Sequence, residues 1–387
     1  MQKRKNHKGL IFGHQKKVNV DYDYWKFGII KNNKKIIDNL LYYSSFSLGY
    51  ENTQIIDLVC EKMKEFKPEI GDNVLPSIQN PTLNSPCINL ADKLYEMSKG
   101  YKSIFTLSGS DGIEVAIKLA FAYHQNKSKK RKKIVSFDDG YHGATLLTST
   151  CSDVYDDMSC GMEPYQEVIK ISRDSINKKI DWNEVACIIV ETCPHDPINP
   201  YNKQVWDKIN EIQTNNDVVV IIDDIFMGGG KTGSFFGWDK LPISPDIAVM
   251  GKAITGGSFP LAVALYNDRI DNKLTGINWL HAHTYSFNLS GVICALEYIK
   301  ILEKNNYMNN VDSLIDRMKI YLKKQEWDII GNFGLMFSIS KNDIISRFNL
   351  PLNPDDEYFN AMDDSLEELE KMNIKSKYIH NLTLRSI

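Results

Sequence analysis

Lys252 stands in the run Gly251-Lys252-Ala253-Ile254-Thr255-Gly256-Gly257, just beyond an apolar stretch at residues 246–250 and 29 residues after Asp223. Burial of an amine there would lower its pKa and make it a Schiff-base nucleophile. A lone lysine is most often a surface charge, but its place after a buried run and among glycines argues for the chemical role. Asp223, followed by Asp224, ends the apolar run 218–222. A carboxylate at the tip of a buried strand requires a cationic partner. A protonated pyridine nitrogen would serve, and the pairing would keep such a ring electron-poor. Capping of the next turn is the competing reading.

Two further segments could complete a site. Ser108-Gly109-Ser110 directly precedes a helical pattern at 112–124. Small residues at a helix start let backbone N–H groups approach an anion such as a phosphate, although a serine there also serves as a simple N-cap. Asp139-Gly140-Tyr141-His142-Gly143 follows the apolar run 134–137. Loops at the carboxyl ends of parallel strands hold ligands in α/β proteins, and Tyr141 between glycines offers a flat ring face. A surface turn is the alternative. Gly230-Lys231-Thr232 resembles the end of a P-loop, but Ile225 occupies the position of the first glycine and an acidic pair intervenes, so that reading fails.

Positioning these groups requires a sheet. The apolar runs 134–137, 186–190, 218–222, 246–250 and 261–266 are rich in Val and Ile and lack polar alternation, the pattern of strands buried on both faces of a parallel sheet. Helical patterns at 112–124 and 202–214 lie between them, which predicts an α/β layer structure. Beyond about residue 305 the texture changes: a helix is expected at 311–324, a strand at 334–340, a helix at 356–372 and a closing strand near Thr383. The expected organisation is an N-terminal arm and part of a small domain at 1–40, a large domain at 41–304 and a shortened small α+β domain at 305–387.

Composition removes several classes. A net charge of −3 over 387 residues gives no general attraction to nucleic acid. Seven cysteines without a C-x-x-C pair predict reduced thiols, with neither a disulfide frame nor a metal site. No run of 18 apolar residues occurs, so no membrane span is expected, and the cytoplasm is the expected compartment.

Taken in order, the segments resemble the class III pyridoxal-phosphate-dependent aminotransferases of fold type I. Ser108-Gly109-Ser110-Asp111-Gly112-Ile113-Glu114-Val115-Ala116 is most similar to the diaminopelargonate branch. Asp223-Asp224-Ile225 with Gly228 and Gly230-Lys231-Thr232-Gly233, and Gly251-Lys252-Ala253, resemble the family's acidic strand end, glycine turn and cofactor lysine. The resemblance implies a large domain with a mostly parallel central sheet sandwiched by helices, plus a small α+β domain. It implies pyridoxal 5′-phosphate, with Ser108, Gly109 and Ser110 at its phosphate. Tyr141 would stack on the ring with His142 beside it, Ile225 on the other face, Asp223 at the ring nitrogen, Glu191 alongside and Lys252 as the attachment point. Thr284 would reach the phosphate of a neighbouring subunit, which implies a homodimer with shared sites. Arg385, or alternatively Lys377, would anchor a substrate carboxylate, and Tyr43, next to Tyr42, would line the substrate pocket.

The expected reaction is ping-pong transfer of an amino group between an amine or amino acid and a carbonyl acceptor, each a small molecule or peptide-linked. Another reaction of the same fold (aminomutase, racemase or decarboxylase) and a non-catalytic scaffold are the alternatives. The chain departs from the family at Phe226, where glutamine is usual, although the diaminopelargonate branch lacks it too. It departs again at Thr192-Cys193-Pro194-His195-Asp196, where proline and a glycine-rich turn are usual, and at Phe287-Asn288-Leu289. These departures point to a specialised substrate.

Overall fold

The computed structural model describes residues 23–31, 34–50, 53–65, 86–125, 131–153, 161, 163–164, 166–176, 179–274, 281, 285–342 and 344–371. Thr284, Lys377, Arg385 and the expected closing strand near Thr383 lie outside the described residues.

A seven-stranded sheet organises the chain. Its strands are β4 (Lys102–Thr106), β5 (Lys133–Phe137), β6 (Glu167–Ile171), β7 (Val185–Glu191), β8 (Val219–Asp223), β9 (Ile247–Met250) and β10 (Ala262–Tyr266), in the order β4-β10-β9-β8-β7-β5-β6. Strands β6, β5, β7, β8 and β9 run parallel. The run at 261–266 departs from expectation: β10 is antiparallel to both β9 and β4. Burial on both faces hides strand direction, because the apolar pattern is the same either way.

The central strands alternate between two cores. Cys187, Ile189, Val219, Ile221, Ile247 and Val249 pack with Ile113, Ala116, Ile117 and Ala120 of helix Gly109–His124. Their neighbours Ile188, Val190, Val220, Ile222, Ala248 and Met250 pack with Val205, Trp206, Ile209 and Ile212 of helix Lys203–Asn216. A strand with period two thus feeds a helix layer on each side, and β7, β8 and β9 are buried along their whole length. That explains why the sequence signal was a continuous apolar run.

A second sheet, β11 (Asp328–Phe333), β12 (Met336–Lys341) and β13 (Ile344–Asn349), is antiparallel. The expected strand at 334–340 begins two residues later, because Gly334 occupies the hairpin turn with φ +56°. Near the N-terminus, β1 (Asp23–Trp25), β2 (Gly28–Lys31) and β3 (Lys34–Ile37) form an antiparallel meander. Helix Asp356–Lys371 packs on β3, where the Ile37 N–H donates to Ser365 Oγ at 3.0 Å and Lys34 pairs with Asp364 at 2.8 Å. No helix among the described residues is long and apolar enough to cross a membrane.

Candidate active site

The parallel strands deliver two carboxyl groups side by side. Glu191 ends β7, Asp223 ends β8, and the two are register partners; both are buried, at 4% and 5% exposure. Asp223 accepts from the Ile225 N–H at 3.1 Å, and its Oδ2 lies 2.9 Å from His142 Nδ1. Glu191 accepts from the Tyr141 N–H at 3.2 Å, and its Oε1 lies 2.8 Å from His195 Nδ1. Each carboxyl group therefore has its own imidazole. Burial, reinforced by Asp223, pushes the Glu191 carboxyl well above the ordinary range, against the opposing fields of His142 and Lys252.

Lys252 follows β9, the next strand, and opens a short 3-10 turn (Lys252–Thr255) with φ +46°. A left-handed conformation at a non-glycine residue costs roughly 1–2 kcal/mol. Burial lowers its amine below the usual lysine range, while Asp223 and Glu191 oppose the shift. Its Nζ stands 4.8 Å from the centroid of the Phe226 ring.

The helix start and the loop after β5 close on one another. Ser108 Oγ accepts from the Asp111 N–H at 3.2 Å, so its hydroxyl is the N-cap of helix Gly109–His124. Ser110 Oγ instead accepts from the Ala144 N–H at 3.3 Å. Gly143 has φ +128°, and a Cβ there would fall 2.4 Å from Ser110 Oγ. At Gly109 a Cβ would fall 2.7 Å from Ile225 Cδ1, so only glycine leaves the first N–H groups of the helix open beside Ile225. Tyr141 is about a third exposed, and its phenol is raised by burial and by Asp223.

The departing loop after β7 is clamped by the small sheet. Arg347 on β13 donates to the His195 carbonyl at 2.8 Å and pairs with Asp196 at 3.5 Å. The Ile198 N–H donates to Ser338 Oγ on β12 at 2.8 Å. Gly331 on β11 lies so close that a Cβ would fall 1.7 Å from the Ile198 carbonyl oxygen. The ring of His195 packs on Phe226, with centroids 4.8 Å apart, and stands edge-on to Tyr141 at 6.1 Å.

Tyr43 reaches the same place by an unusual backbone. Leu41, Tyr42, Tyr43 and Ser44 have φ values of 46°, 51°, 56° and 69°, a left-handed turn without glycine. Asp38 steadies its start by accepting from the Leu40 and Tyr42 N–H groups at 3.0 and 2.8 Å. Ser44 steadies its end: its hydroxyl donates to the Phe226 carbonyl at 3.0 Å, and Lys231 Nζ donates to its carbonyl at 3.0 Å. Tyr43 packs on the cluster of Cys193, Phe226 and Met336, whereas Tyr42 is exposed.

Of the residues expected from sequence, Ser108, Gly109, Ser110, Tyr141, His142, Glu191, Asp223, Ile225 and Lys252 are thus gathered at one edge of the sheet, with Tyr43 across from them. Sequence reasoning missed His195, Phe226 and Arg347 as participants; the departures from family pattern at 192–196 and 226 signalled the first two, and nothing signalled Arg347. Lys231, set aside as a false P-loop, is fully buried and lowered well below the usual range, by burial and then by Lys252.

The aminotransferase class-III model matches residues 27–348, and the chain belongs to that family. The adenosylmethionine-8-amino-7-oxononanoate aminotransferase of Staphylococcus aureus is 28% identical over 295 residues, covering 66% of this chain and 65% of that protein. The acetylornithine aminotransferase of Archaeoglobus fulgidus is 25% identical over 319 residues, covering 81% and 79%. The chain therefore spans slightly under two thirds of the Staphylococcus relative. Among solved structures, the adenosylmethionine-8-amino-7-oxononanoate aminotransferase of Methanocaldococcus jannaschii superposes with a TM-score of 0.77 at 22% identity, over 92% of this chain and 93% of that one. The fold is that of the fold type I pyridoxal-phosphate enzymes.

Pyridoxal phosphate fits the residues present. A buried carboxylate suits a ring nitrogen, a helix start kept open by Gly109 suits a phosphate, and a buried amine of lowered pKa suits an aldehyde. His142 Nε2 is, moreover, a buried polar atom without a hydrogen-bond partner among the described residues, which marks the pocket as incomplete from protein atoms alone.

Proposed function

We propose that this chain is a pyridoxal-phosphate-dependent aminotransferase that moves an amino group between an amine or amino acid and a carbonyl acceptor in two half-reactions. The observation that carries the reading is the desolvated amine of Lys252, just beyond β9, in the field of the Asp223 carboxyl at the end of the neighbouring strand. When bound, the cofactor supplies an electron-poor pyridine ring that draws electron density from a bond at the substrate carbon.

The protein residues do the rest. Asp223, held by His142, would pair with the ring nitrogen. The N–H groups of Gly109 and Ser110 and the Ser110 hydroxyl, with Ser108 as cap, would hold the phosphate. Tyr141 and Ile225 would cover the ring, and Glu191 would lie alongside. Burial keeps the Lys252 lone pair available to attach the cofactor. Nζ would serve as the group that takes the proton from the substrate carbon, holds it and returns it. Tyr43 faces the substrate, which is a small molecule or a peptide-linked group. Thr284 and Arg385 keep their proposed roles toward a neighbouring subunit's phosphate and a substrate carboxylate. The reading carries with it a homodimer, domains at 1–40, 41–304 and 305–387, and a reducing, cytoplasmic setting, supported by the free thiols of Cys60, Cys151, Cys187, Cys193 and Cys294.

The test is a visible absorption spectrum of the purified protein with pyridoxal phosphate, before and after addition of a panel of amines. A band of lysine-bound cofactor, bleached by a donor and absent in Lys252→Ala, is expected. No band after reconstitution overturns the reading.

A further inference from the structure

The loop 192–196 departs from the proline and glycine-rich turn usual in its family and carries a histidine, yet nothing in the mechanism above uses it. We infer that His195 is a positioning residue for Glu191: its Nδ1 accepts a hydrogen bond from the carboxyl O–H at Oε1, so the pair stays net neutral beside Lys252 and the neutral carboxyl of Glu191 is held in one orientation. The inference concerns the pocket assigned above to the cofactor and rests on that assignment for one of its two tests.

Four observations support it. Glu191 and Asp223 are register partners at a buried strand end, and two adjacent buried anions repel one another. Asp223 has the surroundings of a carboxylate, with donors on both oxygens. Among the described residues, the Tyr141 N–H is the fixed donor to Glu191, at Oε2, leaving Oε1 to His195 at 2.8 Å. The ring that meets it is fixed by Phe226 and Tyr141 and by the clamp through Arg347.

The surrounding charges place the proton. Burial lowers His195 to about 3, with Lys252 and Arg347 acting in the same direction and Asp196 and Asp153 against it. Around Glu191, burial and Asp223 favour the neutral carboxyl, whereas His142, Lys252 and the Tyr141 N–H favour the anion. Cys193 and Tyr201, which also face the carboxyl, are both raised by burial and stay neutral. The imidazole thus remains neutral and works as an acceptor. Its removal leaves the Glu191 O–H without its acceptor; burial and Asp223 still favour the neutral form, and the carboxyl is free to turn.

His195→Phe removes the acceptor and keeps a ring; His195→Gln restores an acceptor through its amide oxygen. In the protein free of cofactor, infrared spectroscopy at pH 7 is expected to show a protonated-carboxyl band that disappears in Glu191→Gln, moves to higher wavenumber in His195→Phe and returns in His195→Gln. In the loaded protein, the pH midpoint of the visible transition is expected to be unchanged in both variants, because burial keeps Glu191 neutral. A Glu191 band that keeps its position in His195→Phe, or its absence from the wild type, overturns the inference, as does a raised midpoint in His195→Phe. If the protein takes up no pyridoxal phosphate, the proposed function fails, and the infrared measurement still decides the pairing.

Discussion

His142 Nδ1 lies 2.9 Å from Asp223 Oδ2, with both side chains almost wholly removed from solvent. The contact joins the loop after β5 to the tip of β8 and fixes the carboxyl group where a ring nitrogen would meet it. Hydrogen bonds to charged groups contribute about 1.5–3 kcal/mol. His142→Phe is accordingly expected to weaken pyridoxal phosphate binding roughly 10- to 100-fold, measured by equilibrium dialysis of the cofactor-free protein. Unchanged affinity would show that the Ile225 N–H alone suffices to hold Asp223.

Lys252 combines a left-handed backbone with a desolvated amine, and both cost stability. Lys252→Ala is expected to reduce amino transfer by about 10²–10⁴-fold while raising the stability of the cofactor-free protein by about 1 kcal/mol. Lys252→Gly is expected to gain further, because glycine adopts positive φ without strain. Thermal melts of the three cofactor-free proteins check the order; a wild type more stable than both variants contradicts it.

Two buried groups give opposite pH dependences. Burial raises Asp224 from 3.8 to about 7, although Thr192 and the Gly237 N–H donate to it. Between those values the folded chain holds a proton that the unfolded chain has released, so the contribution of Asp224 is lost as pH rises through 7. His195 moves from 6.5 to about 3. Its contribution is complete above pH 6.5 and is lost as pH falls toward 3. Each slope is at most about 1.4 kcal/mol per pH unit. Urea unfolding between pH 4 and 6.5 is expected to show a steeper loss on acidification in Asp224→Asn and a shallower one in His195→Phe. Curves parallel to the wild type would contradict both assignments.

Gly331 admits no side chain, because its Cβ would overlap the Ile198 carbonyl oxygen. Gly331→Ala is expected to cost about 1–3 kcal/mol by overpacking and to open residues 192–200 to protease. Ser338→Ala, which removes only the 2.8 Å bond to Ile198, is expected to cost about 1 kcal/mol. Urea midpoints and limited digestion together distinguish the two; equal effects would mean the close approach is relieved elsewhere.

The large sheet was legible where burial is complete. Strands β7, β8 and β9 announce themselves as unbroken apolar runs, and the placement of Asp223 and Lys252 just beyond them followed directly. Strand β4, with Lys102 and Ser103, and strand β6, with Glu167 and Lys170, lie at the sheet edges. Their mixed burial blurs the apolar signal. The antiparallel course of β10 was hidden for the opposite reason, since full burial erases direction. Arg347 could not be found from sequence, because it meets the His195 carbonyl across 152 positions. Lys231 was misleading: its glycine neighbours suggest phosphate binding, yet its amine is spent on Ser44, 187 positions away.

The grip of β11, β12 and β13 on residues 192–200 bears on how new specificities could arise in this chain. Gly331, Ser338 and Arg347 each hold one point of a loop encoded well over a hundred codons earlier. A recombinant that takes the loop from one relative and the small sheet from another would join surfaces shaped for different partners. Productive crossovers must therefore inherit both stretches from the same parent, which makes the loop and the sheet a single unit of exchange.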